Sequence, residues 1–183
     1  MRTISLKTGH LIEVSGIALG ISTLYISNIF ELYYLKIFFL SISWFCFLYF
    51  THCLTHYIVG YILKIKFKYY FIGEANFVSH LSKKDDQFNI LKKIPVLGIK
   101  IDIQSLIQVK PIYRMIMFQS GAIASMIFPL IVPIYSMKNS SILISIFFFI
   151  ISIMNIAFDM YYSPKIGDFK KAKKWLIYDM KEK

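Results

Sequence analysis

Charge is what this chain has least of. Only 17% of its 183 residues are charged, and just 10 are acidic, against a charged fraction of roughly 25% in soluble domains. With 57% of residues hydrophobic and a mean hydropathy of +0.59, a water-soluble domain is disfavoured from the outset. Cysteine is limited to Cys46 and Cys53. On a helix their Cα atoms lie about 10 Å apart, beyond the roughly 7 Å that a disulfide spans, so no oxidising compartment is implied. Glycine and proline are sparse, and neither a low-complexity linker nor a solenoid-length repeat is present. The charges that do occur are one-sided, with 21 Lys+Arg and a formal net charge of +11. In so apolar a chain that excess reads as membrane topology rather than nucleic-acid binding.

Four apolar segments are predicted to span a bilayer as helices, at 11–30, 35–63, 114–135 and 141–162. The expected fold class is therefore an α-helical integral membrane protein, one membrane domain over 1–183. The short basic start before the first segment, Arg2 and Lys7, has no small-x-small cleavage pattern after it, so the segment reads as a retained span. Within it, Gly16 and Gly20 form a small-xxx-small pair that admits a close helix neighbour. The second segment, about 43 Å long as a helix, must tilt, protrude or break. Eighteen of the 21 basic residues fall at 1–10, 64–113 and 163–183, Arg114 stands at the inner edge of the third segment, and only Lys36 and Lys138 lie in the other connections. That division places both termini in the cytosol.

The inside segment 64–113 has strand character. Ile65, Phe67, Tyr69 and Phe71 alternate with Lys66, Lys68 and Tyr70, and Ile99, Ile101 and Ile103 alternate with Lys100, Asp102 and Gln104. A small cytosolic β-hairpin is expected between spans two and three, with Ser79 to Lys84 as its polar connection. Because a lone hairpin is marginal in water, its apolar face should lie on helices or the bilayer surface.

The chemistry-bearing pattern lies in the second span, Thr51-His52-Cys53-Leu54-Thr55-His56. Residues four apart share a helix face, so His52 and His56 can present two imidazoles to one metal ion. They sit about 18 and 12 Å inside the end at Lys64, a depth at which ionisable groups are costly and point to function. The plain alternative is that each imidazole hydrogen-bonds a neighbouring helix. Cys53 can share a face with His56 as a thiol–imidazole pair, serve as a soft metal ligand, or simply fill a helix interface as a small hydrophobe. His10 and His80 fall outside the spans and are expected to be solvated. The aromatic load, 17 Phe and 13 Tyr, suits lipid-facing and interfacial helices and implies no cofactor box.

The stretch from His52 to Gly73 resembles the zinc helix and following strand of the site-2 protease family of intramembrane metalloproteases, with Gly60 at the small position after the second histidine. Ser120-Gly121-Ala122-Ile123-Ala124-Ser125 is similar to that family's A-G-P-x-A stretch, without its proline. Ser163-Pro164-Lys165-Ile166-Gly167-Asp168 resembles the segment that supplies the third ligand. The resemblance implies zinc, or another divalent transition metal, on His52, His56 and Asp168. Asp159, inside the fourth span, is a rival ligand or a partner of the ligands, and Asp168 reads otherwise as an ordinary acid beside a lysine cluster. Cys53 stands where the family has its general-base Glu. A thiol of ordinary pKa near 8.5 is a poor substitute, and losing a positioned base costs about 10²–10⁴-fold in rate.

The expectation is thus a divergent, weak or inactive member, a pseudoprotease that binds transmembrane clients, with the strand at Ile65 to Phe71 available to pair with an extended substrate. The alternative is a membrane binding or transport protein that uses the histidines for haem, a metal or protons. The run Lys170 to Lys174 followed by Trp175 reads as a juxtamembrane segment for anionic lipid. No nucleic-acid partner is expected.

Overall fold

The computed structural model describes residues 2–74 and 95–181. It is mostly helical, with four helices long and apolar enough to cross a membrane and a small three-stranded sheet. Strand β1 (Arg2–Ile4) leads into α1 (Leu6–Ile26), whose N-terminus is capped by the Ser5 side chain accepting from the Thr8 amide. Helix α2 (Tyr33–Ile62) follows a short 3₁₀ turn at Ser27–Ile29. Strands β2 (Phe67–Glu74) and β3 (Pro95–Ile101) precede a short helix α3 (Ile103–Gln108). The third apolar helix is broken. α4 (Pro111–Ile127) passes through a 3₁₀ turn at Phe128–Leu130 into α5 (Ile131–Asn139), because Pro129 and Pro133 withdraw amides from the ladder. Helix α6 (Ile142–Tyr162), capped by Ser141, is followed by a turn and then α7 (Asp168–Lys181).

α2 ends on a left-handed residue that is not glycine. Lys64 has φ 63°; its amide bonds the Tyr61 carbonyl at 3.1 Å and the Ile65 amide reaches the Gly60 carbonyl at 2.8 Å. This paired 5→2 and 6→1 closure satisfies the last carbonyls of α2 and turns the chain into β2. The long second segment therefore runs unbroken and stops at this cap.

The sheet has the order β1-β2-β3, antiparallel throughout, with Ile4 opposite Tyr70 and Tyr70 opposite Ile99. Three expectations change here. The hairpin gains a third strand from the N-terminus, so β2 is the middle strand and its edge at Tyr70–Ile72 is taken by β1. The register of β2 against β3 shifts between Phe67 and Tyr69, and such an irregularity swaps the faces beyond it. Tyr70, placed by simple alternation on the lysine face, is instead completely buried. Finally, Ile103 and Gln104 belong to α3, because Asp102 caps that helix through the Ser105 amide. Lys68 pairs with Asp102 at 3.1 Å, and this hydrogen-bonded ammonium holds the Asp102 carboxyl below its ordinary range. The expected connection at Ser79 to Lys84, and His80, lie outside the described residues.

Three apolar clusters hold the elements together. Leu24, Leu40, Trp44, Phe47, Val132, Ile144 and Phe148 join α1, α2, α5 and α6. Ile65, Leu106, Met117, Phe118 and Ala172 join the end of α2 to α3, α4 and α7. Cys53, Tyr70 and Leu97 seat the sheet on α2. The expected close approach at Gly16 and Gly20 is present, since a Cβ at these positions would meet the Phe50 ring at 2.2 Å and the Cys46 Cβ at 2.9 Å. Arg114, at the inner edge of the third segment, is buried. Its Nε and Nη2 donate to the carbonyls of Val109 and Ile107 at the end of α3, and its guanidinium lies over the Trp175 ring. Arg114 thereby ties α3, α4 and α7 together. The apolar side of α7, expected to face lipid, packs Ala172 and Trp175 against this cluster.

Candidate metal centre

His52 and His56 lie one turn apart on α2 and face α4. Across the interface, Gly121 and Ser125 lie one turn apart on α4. A Cβ at 121 would come within 2.3 Å of the His56 Nε2, so only glycine leaves room for that imidazole. Ser125 Oγ lies 3.4 Å from the His52 Nδ1. The Ser-Gly-Ala-Ile-Ala-Ser stretch is thus the surface on which both histidines rest.

The third group arrives from α7. Its approach depends on the turn after α6, where the Lys165 and Ile166 amides bond the Tyr162 carbonyl and the Gly167 amide bonds that of Ser163. A side chain at Gly167 would meet Ser163 Oγ at 2.8 Å. Ser163 then caps α7, accepting from the Phe169 amide on its hydroxyl and from Lys170 on its carbonyl. Asp168, the first residue of α7, is brought back beside the histidines although it follows α6 by six residues. Its Oδ2 lies 3.0 Å from the His52 Nε2 and 3.3 Å from the His56 Nε2, and its Oδ1 accepts from Lys171 Nζ at 2.8 Å.

His52, His56 and Asp168 each offer one ligand atom, and these atoms lie within 4.8 Å of one another. His56 and Asp168 are buried, and the His52 side chain is 33% exposed. The His56 Nδ1 is 2.7 Å from the Met117 carbonyl. A carbonyl only accepts, so this nitrogen carries the proton. Nε2 then meets Asp168 either as the N–H of an imidazolium or as a lone pair aimed at a cation shared with the carboxylate. Burial works against the charge of Asp168, but its hydrogen bonds with the histidines and the Lys171 ammonium outweigh it and hold the carboxyl well below the ordinary range. Two imidazoles with remote nitrogens engaged and one ionised carboxylate make a donor set that fits a divalent transition metal.

No family model, no curated protein and no solved structure matches this chain.

The group borders a cavity of about 690 Å³ whose walls include Leu48, Phe71, Ile99, Phe118 and Phe158. Two expected participants stand apart from the ligand group. The Cys53 Sγ donates to the Leu97 carbonyl at 3.2 Å, while the Leu97 amide donates to the Tyr49 hydroxyl at 2.9 Å. Cys53 is buried in the seam with β3, so the thiol is engaged with backbone rather than paired with His56 or added to the ligand set. Asp159 lines the same cavity, but its carboxylate accepts from Ser125 at 3.4 Å.

His10 departs from the solvated position expected of it. It lies within α1, its Nδ1 3.0 Å from the Tyr70 hydroxyl, which itself donates to Glu13 Oε2 at 2.6 Å. Glu13 is completely buried. The only trace of this cluster in the sequence is Glu13 inside an apolar segment, with His10 three residues before it; Tyr70 is concealed by the irregularity in β2.

Proposed function

We propose that this chain is a multi-pass membrane protein with both termini in the cytosol, which holds zinc on His52, His56 and Asp168 in the manner of the site-2 proteases. On this reading it receives apolar, transmembrane segments of client proteins in the adjoining cavity, with little or no peptide hydrolysis. The observation that carries the reading is the convergence of three ligand atoms from α2 and α7, two elements more than 100 residues apart, at the wall of an apolar cavity.

When bound, zinc supplies Lewis acidity toward a carbonyl oxygen and lowers the pKa of water. The residues of the chain supply the rest. His56 is held by Met117, Asp168 is kept ionised by its neighbours, and Leu48, Phe71, Ile99, Phe118 and Phe158 give the cavity an apolar wall. What the α2 motif lacks is a carboxylate beside the metal at position 53. Its place is taken by a thiol whose hydrogen goes to Leu97, and this supports weak hydrolysis, since acid/base groups act only within hydrogen-bond reach. The exposed lysines 170, 173 and 174 on α7 suit contact with anionic headgroups.

The test uses the full chain in detergent. Stoichiometric zinc, lost in His56→Ala and Asp168→Ala, is expected, with slow or no cleavage of a transmembrane substrate. Substoichiometric metal that is indifferent to His56→Ala removes the metal centre, and rapid cleavage by the natural sequence removes the pseudoprotease reading. An absorption spectrum addresses the haem alternative. No Soret band is expected, because both histidines project from one helix toward one point and His10 is engaged with Tyr70.

A further inference from the structure

His52 is held differently from His56. A histidine that ligates through Nε2 must carry its proton on Nδ1, and the partner of that N–H sets the tautomer and the ring direction. For His56 the partner is a carbonyl, which can only accept. For His52 it is the hydroxyl of Ser125, which can either accept or donate. Ser125 has competing uses for its own proton, since its Oγ lies 3.0 Å from the Ala122 carbonyl and 3.2 Å from that of Gly121 within α4, and 3.4 Å from Asp159 Oδ2 on α6. The carboxylate is the charged acceptor of the three, and charge-assisted hydrogen bonds are roughly twice as strong as neutral ones.

α6 holds Ser125 at two points. Asn155 Nδ2 donates to the Ser125 carbonyl at 3.0 Å, and one turn later Asp159 meets its hydroxyl. Three helices are therefore in register at this level, with Asn155 and Asp159 on α6, Gly121 and Ser125 on α4, and His52 and His56 on α2.

We infer that Ser125 and Asp159 form a relay that keeps the proton of His52 on Nδ1 and aims its Nε2 at the metal, Asp159 acting as a positioning residue rather than a ligand. The inference rests on the metal-centre reading above. His52 Nδ1–H donates to Ser125 Oγ, Ser125 O–H donates to Asp159, and the carboxylate draws the hydroxyl proton away from the His52 side. The partly exposed histidine thereby gains an anchor in the same place as the one Met117 gives the buried one, at 3.4 Å against 2.7 Å.

The experiment measures zinc affinity of the full chain in detergent by competition with a chromogenic chelator, for the natural sequence, Ser125→Ala, Asp159→Asn, the double variant and Asn155→Ala. Cobalt(II) spectra and the thermal stability of metal-free samples are recorded alongside. Ser125→Ala and Asp159→Asn are each expected to weaken zinc by about 10–100-fold, with shifted cobalt bands and unchanged metal-free stability. The double variant should be no weaker than the poorer single variant, because both interrupt one chain of hydrogen bonds. Asn155→Ala, which loosens the helix contact but leaves the relay in place, should bind as the natural sequence does. Natural affinity in Asp159→Asn, losses that multiply in the double variant, or an equal loss in Asn155→Ala would each overturn the relay while leaving the metal centre standing. Absence of zinc from the natural sequence overturns both.

Discussion

On the side of α2 that meets α4 and α7, His52, His56 and Asp168 border a cavity, and the remote nitrogen of each imidazole is engaged by Ser125 or Met117. On the side that meets α1 and β2, Glu13, Tyr70 and His10 are packed together, with Glu13 and Tyr70 completely buried. There Gly9 lets the Tyr70 ring slide under α1, a Cβ at that position falling 2.1 Å from the ring, while Glu13 Oε1 and His10 Nε2 have no hydrogen-bond partner among the described residues. Both clusters place a carboxylate and imidazole in an apolar setting, at the same helix. They differ in which polar atoms are left over. At the first, the leftover atoms point at one another around a common centre, as ligands do. At the second, the Tyr70 hydroxyl sits between Glu13 Oε2 and His10 Nδ1, and its bond to Glu13 fastens α1 to the sheet. Convergence, rather than the mere presence of buried ionisable groups, separates a binding site from a structural contact.

Removing a convergent group should have the largest effect on binding. His56→Ala is expected to abolish stoichiometric zinc, measured by metal content, whereas Tyr70→Phe leaves that content unchanged; equal losses would erase the distinction. Zinc supplied at about 100 times its dissociation constant should stabilise the natural chain by about 2.7 kcal/mol, a gain that vanishes on chelation and is absent in His56→Ala. Thermal unfolding in detergent with and without chelator reads it, and a gain that persists in His56→Ala would place the metal elsewhere.

The other face is tested by stability. Tyr70→Phe leaves Glu13 Oε2 without its donor and should cost about 1–3 kcal/mol with zinc affinity intact. Gly121→Ala tests the comparison from the helix beneath. Overpacking of this kind costs about 1–3 kcal/mol, and because the added carbon falls on His56 it should weaken zinc as well, unlike any change at Gly9. The smallest effect is expected at the seam between the two faces. Cys53→Ala removes one weak donor to Leu97, a loss of about 1 kcal/mol, and should keep zinc binding. Cys53→Glu sets an acceptor instead of a donor against the Leu97 carbonyl, so it is expected to loosen the seam without restoring cleavage; rapid cleavage by that variant would return position 53 to the metal site.

Much of the molecule is legible along the chain because its causes are local. Twenty-residue apolar runs demand helices in a bilayer, and period-2 alternation demands strands. Histidines four apart share a helix face wherever that helix packs. These are properties of a few neighbouring residues, and all four long helices, two of the three strands and the His52–His56 pair could be read from them. The family-like pattern around Asp168 also marked the residue that joins the pair.

Contacts between distant segments were not legible in the same way. Whether Asp168 or Asp159 meets the histidines depends on the turn at Ser163–Gly167, which folds α7 back against α4, and on Arg114 bridging to Trp175. Tyr70 faces inward because one irregularity near Lys68 reverses the alternation. Of the three roles open to Cys53, the packed one is found, its thiol set against a β3 carbonyl. Glu13 reads as a flaw in a span until Tyr70, 57 residues away, arrives as its donor. A helix face has the same local sequence whatever it packs against, so the identity of its neighbour is a property of the assembled chain alone.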